Sequence, residues 1–320
     1  MNNLNHVSVA DSLGGGLFDR RWAMQPEALH SYVEAMRRWS SAFAIDYEAA
    51  GKALVEREAT RLNKVEGDIA VLNVFGVVAQ RLNVLAELFG VGTSTERIGQ
   101  LFDSALASDD VGAIVLNIDS PGGSTAGVLE LEDKIFKARG TKPIVAVANS
   151  LAASAAYWIG SAAEQFVVTP GGDVGSIGVF YVHFDMSKFN EQVGLGVEYI
   201  HAGKYKVEGN PDNPLDDEAR AALQSDADGW YETFTEHVAR NRGVGVRAVR
   251  AGFGEGRTVG AKAALAEGMV DRVATLESVI RELRGQARPY RKRAEDQGNG
   301  RYAHARLHEL KRRQERANAG

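Results

Sequence analysis

The sequence predicts an α/β fold built on a largely parallel sheet, flanked by a helical N-terminal arm and a polar, basic C-terminal tail. Two observations carry this. Short runs of uninterrupted apolar residues recur from Gly67 onward, and amphipathic helical stretches separate them. Strands that are apolar on both faces must be covered on both faces, and parallel neighbours need a helical crossover. A third observation fits: 35 glycines against 7 prolines suit tight turns and close backbone approaches more than linkers. At 320 residues, 44% hydrophobic and 25% charged, the chain has ordinary globular composition and enough length for a sizeable core.

Taken in order, residues 1–23 read as a loose arm broken at Gly14-Gly15-Gly16. A helix starts around Gln25-Pro26-Glu27, with proline in its first turn and Leu29, Tyr32, Val33 and Met36 at helical spacing. Tyr47 to Lys64 is charged and helical. Asp68–Phe75 is the first core strand, and Thr95–Leu106 a helix capped by Thr93 or Ser94. Ala113–Ile118 is the second strand and Gly127–Ala138 the second helix. Pro143–Ala148 is the third strand, Ala153–Ala163 the third helix, and Gln165–Thr169 the fourth strand. A long helix covers Asp216 to Arg242, with Leu223, Trp230, Phe234 and Val238 along one side. Ala261–Met269 is a shorter helix and Val270–Val273 a last strand-like piece. No internal repeat is visible. The expected division is an arm over 1–64, one domain over 65–283 and a tail over 284–320, where core residues give out.

Composition removes several function classes. Without cysteine there is no disulfide framework, thiol nucleophile, zinc knuckle or iron–sulfur cluster, and no metal or other cofactor is expected. No stretch approaches the ~18 consecutive apolar residues of a membrane span. The N-terminus lacks the basic start and apolar run of a secretory signal, so a cytoplasmic protein is expected. From Arg281 onward there are 12 basic and 5 acidic residues, leaving residues 1–280 with a net charge of −12. An acidic body argues against nucleic acid as its ligand, while the tail stays open.

Four segments at the ends of these elements could carry chemistry. Asp119-Ser-Pro-Gly-Gly-Ser124 follows the second strand, and its paired glycines can present N–H groups to an oxyanion. Asn149-Ser-Leu-Ala-Ala-Ser-Ala-Ala-Tyr-Trp158 follows the third strand and places Ser154 at the positive end of a helix among small residues. Gly175-Ser-Ile-Gly178 holds Ser176 in a glycine-bounded turn. His201-Ala-Gly-Lys-Tyr-Lys-Val207 sets Lys204 and Lys206 two apart, on one face of a strand. Taken singly, each also reads as an ordinary turn, helix cap or surface lysine pair.

In this order the four segments resemble the signal peptide peptidase family of serine–lysine peptidases, a branch of the Clp protease/crotonase superfamily. The likeness runs from about Gly67 to Ile280, and Gly256 to Asp271 looks like the family's closing helix. The resemblance implies a Clp/crotonase-like fold and a serine endopeptidase. Ser154 would be the nucleophile, Lys206 the general base and Ser176 the hydroxyl that holds the lysine amine. Gly123 and the N–H of Ala155 would form the oxyanion hole, with Gly122 assisting. One departure is Ala155-Ala156, where the family often has glycines; alanine keeps the backbone donor.

The chemistry stands without the family. A serine hydroxyl attacks only when a base takes its proton. A lysine with pKa near 10.4 is protonated at neutral pH, and burial can lower that by up to ~3–5 units. A neutral Lys206 would then deprotonate Ser154 and later protonate the departing amine. Lys204 and His183 remain alternative bases; His183 lies in the strand-like run Val179–Phe184. A crotonase-type acyl-CoA enzyme would also keep the glycine pair but would not need Ser154 with Lys206. A non-catalytic scaffold or shell protein with the same fold is the third class.

The arm, with Arg20-Arg-Trp-Ala-Met24 ahead of a helix, looks like the bacteriophage branch of the family, whose members act in capsid assembly. That resemblance implies polypeptide substrates, namely capsid or scaffold proteins and the chain itself, inside the host cytoplasm or the prohead. It also implies a homo-oligomer and no membrane partner. Substrates are expected to lie extended beside Gly122-Gly123, adding main-chain hydrogen bonds. Arg301 to Arg316 could form a charged helix that engages shell proteins.

Overall fold

The computed structural model describes residues 22–24, 64–66, 68–82 and 92–284. The expected helices over 25–38 and 47–63, and that of the tail, lie outside the described residues.

The large sheet is built from the apolar runs. Strands β3 (Ile69–Phe75), β6 (Ala113–Ser120) and β8 (Ile144–Ala153) are parallel neighbours at its centre, in register Val71↔Val115 and Val115↔Val145. Beside β3 lies antiparallel β2 (Lys64–Glu66). The far edge of β8 is shared: its first half pairs with β9 (Gln165–Val168), its last residues with β10 (Asp173–Gly175), both parallel. Antiparallel β11 (Thr258–Gly260) closes that side, and β12 (Arg272–Val273) pairs with β9.

The crossover helices are α1 (Thr95–Ala107), α2 (Val128–Lys137) and α3 (Ala155–Ser161). Ser94 caps α1 by accepting the Arg97 N–H at 3.2 Å. After these come α4 (Ser187–Gln192), α5 (Asp217–Arg242), α6 (Val246–Ala251) and α7 (Ala261–Ala266). Asp216 caps α5 by accepting the Ala219 N–H at 2.7 Å, and Gly243 ends it in the left-handed conformation.

Alternation along the strands divides the core in two. Leu72, Leu116 and Ala146 face the helices, whereas Val71, Val115 and Val145 face Val279, Ile280 and Leu283 of a helical segment at 276–284. Trp158 of α3 stacks on Phe234 of α5 at 4.2 Å between ring centroids and is fully buried. Behind it, Glu132 of α2 is fully buried and accepts from His237 Nδ1 (2.9 Å), Asn241 Nδ2 (2.7 Å) and Arg240. Arg139 donates to the carbonyls of Ser161, Ala162 and Ala163, which satisfies the free C-terminal end of α3. Helix α3 is thus held both on its buried face and at its C-terminal end.

A second, smaller sheet has the order β1-β7-β4-β5, from β1 (Trp22–Met24), β7 (Gly122–Ser124), β4 (Val77–Ala79) and β5 (Gly92–Ser94). Each of its strands has three residues, too few to show a period in sequence.

Several expectations are corrected. Trp22 and Ala23, expected at the end of the loose arm, form a strand with Met24, and Lys64 opens β2 instead of closing a helix. β8 runs on to Ala153, so the third helix begins two residues later; lateral pairing of Leu151–Ala153 with β10 overrides the helix propensity of alanine. Val179–Phe184 forms no strand, only a single bridge at Phe180. Lys204 and Lys206 do not share a strand face either; they sit in consecutive turns between Gly203 and Gly209, both at positive φ.

Candidate active site

The parallel strands end on one side of the large sheet, where crevices for ligands form in such folds. Ser154 sits there, between β8 and α3. Its φ of 55° and ψ of −120° are the mirror image of the first central residue of a type II turn, a conformation made for glycine. Ser154 and Ser176 (φ 53°) are both non-glycine residues held at positive φ, and such strain clusters at functional sites.

The surroundings over-determine Ser154. Its N–H donates to the Gly175 carbonyl at 2.6 Å, and its own carbonyl accepts from the Trp158 N–H at 2.9 Å. The hydroxyl makes one long contact, 3.4 Å to the Gly178 carbonyl, and the residue has no exposed surface. Ser176 follows Gly175 directly and is tied by its N–H to the Arg257 carbonyl at 2.8 Å. The two hydroxyl-bearing turns are therefore stitched side by side.

The glycine pair completes this end. Ser120 Oγ donates to the Gly76 carbonyl (2.6 Å) and accepts the Gly122 N–H (3.2 Å), which fixes the turn. Gly122 has φ of 96°, and a Cβ there would lie 2.9 Å from Ser154 Cβ and 2.3 Å from the Ala23 carbonyl oxygen. At Gly123 a Cβ would fall 1.8 Å from the Val78 carbonyl oxygen. Only glycine admits these approaches. Ala155, fully buried, contributes the first N–H of α3, one of the donors a helix leaves without an internal partner.

The structure thus brings together Ser154, Ser176, Gly122, Gly123 and Ala155. It does not bring a base to them. Lys206 is exposed, its N–H bonded to the Gly203 carbonyl at 3.2 Å. Among the described residues no hydrogen bond joins Lys206 to Ser154 or Ser176. Lys204 donates to Glu218 (2.6 Å) and to Tyr205 OH (2.9 Å); the Glu218 hydrogen bond, then the Tyr205 one, raises its pKa, opposite to what a neutral base needs. His183 has a buried Nε2 without a partner among the described residues, and no hydrogen bond links it to Ser154. No group of three His, Asp or Glu among the described residues could hold a metal. Nor is any helix among them long and apolar enough to cross a membrane.

One participant escaped sequence reasoning. Strand β1 lies antiparallel on β7, with Ala23 opposite Gly123 and Met24 opposite Gly122. The motif was visible, but its partner is far away in the chain.

With this geometry in place, likeness to known proteins decides the family. Residues 137–288 match the model of peptidase family S49. The chain carries a peptidase family S49 domain. The head-tail preconnector protein GP5 of Enterobacteria phage P21 is 34% identical over 229 residues, 71% of this chain and 44% of that protein. Capsid assembly protease C of Escherichia phage lambda is 34% identical over 189 residues, 59% of this chain and 43% of that protein. The chain spans less than half the length of these two relatives. The chloroplastic serine protease SPPA of Arabidopsis thaliana is 28% identical over 213 residues, 66% of this chain and 31% of that protein. Among solved structures, a single-site variant of ClpP1 from Listeria monocytogenes aligns with 69% of this chain and 95% of its own. That alignment has 15% identity and a TM-score of 0.40, too slight a likeness to carry an argument. The matched span of the S49 domain opens in α2 and includes Ser154, Ser176 and Lys206.

Proposed function

We propose that this S49 domain is a serine endopeptidase in which Ser154 attacks the scissile carbonyl and Lys206 serves as the base. The observation that carries the reading is Ser154 itself: a strained, non-glycine turn residue, pinned on both sides of its backbone, facing a glycine that only a Cβ-free residue could supply. Backbone N–H groups of Gly123 and Ala155, with Gly122, would stabilise the tetrahedral oxyanion. Such a donor is worth roughly 3–4 kcal/mol in comparable sites. Ser176 would orient the lysine amine.

For Lys206 to act, its segment must close over the site and lose water. That segment supports the idea. Nine of the ten large apolar side chains exposed among the described residues lie between Phe184 and Tyr205, with Ile200 96% exposed. A surface of that kind asks for a covering partner. We infer that a second copy of the chain packs on it, carries Lys206 towards Ser154 and desolvates its amine, which lowers the lysine pKa. The similarity to phage proteins named for capsid assembly and head-tail connection points to capsid or scaffold polypeptides as substrates, cut within the host cytoplasm or prohead.

The test is intact-mass spectrometry of the purified protein, alone and with an unfolded protein substrate, beside Ser154→Ala, Lys206→Ala, Lys204→Ala and His183→Ala. Fragments should vanish in the first two variants and persist in the last two. Persistent cleavage by Ser154→Ala sinks the nucleophile assignment. Loss in His183→Ala with retention in Lys206→Ala replaces the lysine by the histidine, and no fragments from any form favours a non-catalytic shell or scaffold role.

A further inference from the structure

Strand β7 has two edges. One is occupied by β4, where Val78 lies opposite Gly123 inside the core. The other is the edge on which a substrate backbone would run past Gly122 towards Ser154, and β1 already fills it. Ala23 and Met24 are buried there, at 0% and 2% exposure. The Ala23 carbonyl oxygen and Ser154 Cβ both lie within 3 Å of the point where a Gly122 Cβ would stand, at 2.3 and 2.9 Å. Ser154 has no exposed surface. A nucleophile with a peptide carbonyl of its own chain beside it and no contact with solvent cannot receive another peptide.

We propose that Trp22–Met24 is an occluding strand, which occupies the substrate edge of β7 in place of a substrate and must leave before one can bind. This rests on the peptidase reading for its biological meaning, though the occlusion is a property of the two strands themselves. The strand is suited to leaving: three residues pair with β7, whereas β6 and β8 each run for eight residues or more. Ala23, small enough for a fully buried position, is the residue whose carbonyl reaches the Gly122 approach beside Ser154.

The chain has no cysteine, so one engineered pair can latch the strand cleanly. Trp22 and Ser124 face each other across the antiparallel ladder, at a separation that disulfide geometry accepts. The full chain carrying Trp22→Cys and Ser124→Cys is compared oxidised and reduced, and Ala23→Pro, which fixes φ and disfavours the middle position of the paired strand, serves as the released form. Two readouts are taken. One is hydrolysis of an unfolded protein substrate. The other is fluorescence anisotropy of a labelled synthetic peptide of residues 17–28, measured in the Ser154→Ala background so that the probe survives.

The oxidised protein should bind the peptide at least tenfold more weakly than its own reduced form and hydrolyse substrate at least tenfold more slowly, with Ala23→Pro binding best. Equal binding by oxidised and reduced forms, or no binding by either, overturns the proposal. Redox-gated binding without hydrolysis in any form upholds the occluding strand and removes the peptidase reading instead. If Ala23→Pro fails to fold, the redox comparison within one protein still decides.

Discussion

Replacing Ser154 by glycine should abolish cleavage yet make the protein more stable than replacing it by alanine. At φ 55° and ψ −120° any Cβ is strained, by about 1–3 kcal/mol for a sparsely populated backbone region. Alanine keeps that strain and loses one 3.4 Å hydrogen bond from the hydroxyl, which is too long to be worth much. Glycine relieves the strain and gives back about 0.4–1 kcal/mol through the greater freedom of its unfolded chain. The balance favours Ser154→Gly over Ser154→Ala by roughly 0.5–2 kcal/mol. With an urea slope of about 3 kcal/mol per molar, the midpoint should rise by some tenths of a molar. The assay is urea denaturation followed by tryptophan fluorescence, and both variants should be inactive towards an unfolded substrate. A Ser154→Gly protein that unfolds at lower urea than Ser154→Ala would refute the claim that Ser154 is held under backbone strain.

Two further outcomes follow from the clamp behind α3. Glu132→Ala should destabilise by about 3–5 kcal/mol, because it strands Arg240 and His237 beside a buried void, whereas Lys137→Ala, which opens an exposed pair with Asp133, should change stability by less than about 1 kcal/mol; thermal unfolding of the two variants makes the comparison. Asp271 accepts from Arg242 and from the Phe166 N–H; burial pushes its carboxyl up, but these bonds and the charges of Arg242 and Arg139 outweigh it and hold the pKa below the usual value. A depressed carboxyl pKa contributes stability that is present above the unfolded value near 3.9 and lost as pH falls through the lower folded one. Wild type should therefore be more stable than Asp271→Asn at pH 7, with the gap narrowing as pH falls below the unfolded value near 3.9 in denaturant titrations; a gap independent of pH shows that the ion pair does not supply it.

Much of the fold was legible in the residues because the long strands carry their own signal. Ile69–Phe75, Ala113–Ser120 and Gln165–Val168 are largely apolar runs bounded by turns, α1 and α5 open on the cap residues Ser94 and Asp216, and α1, α2 and α5 show helical spacing. The expected nucleophile, its neighbouring serine and the glycine pair also stood out, since each follows directly on such a strand. What failed to show was the three-residue strands. Nothing in Trp22-Ala-Met24 distinguishes it from a loop until Gly122–Ser124 lies alongside, and nothing in Leu151–Ala153 resists helix formation except pairing with Asp173–Gly175.

The sequence alone determined the parallel-sheet class, the order of its crossovers and which turns could bear chemistry, because burial of apolar runs and the φ range open to glycine are local properties of residues. Tertiary structure alone decided that Ser154 and Ser176 would be strained and stitched together, that Lys204 would be held by Glu218, that Lys206 would stand in solvent, and that the outer edge of Gly122–Ser124 would be filled from the N-terminal side. These follow from hydrogen bonds and contacts between residues distant in the chain, whose partners no local pattern names.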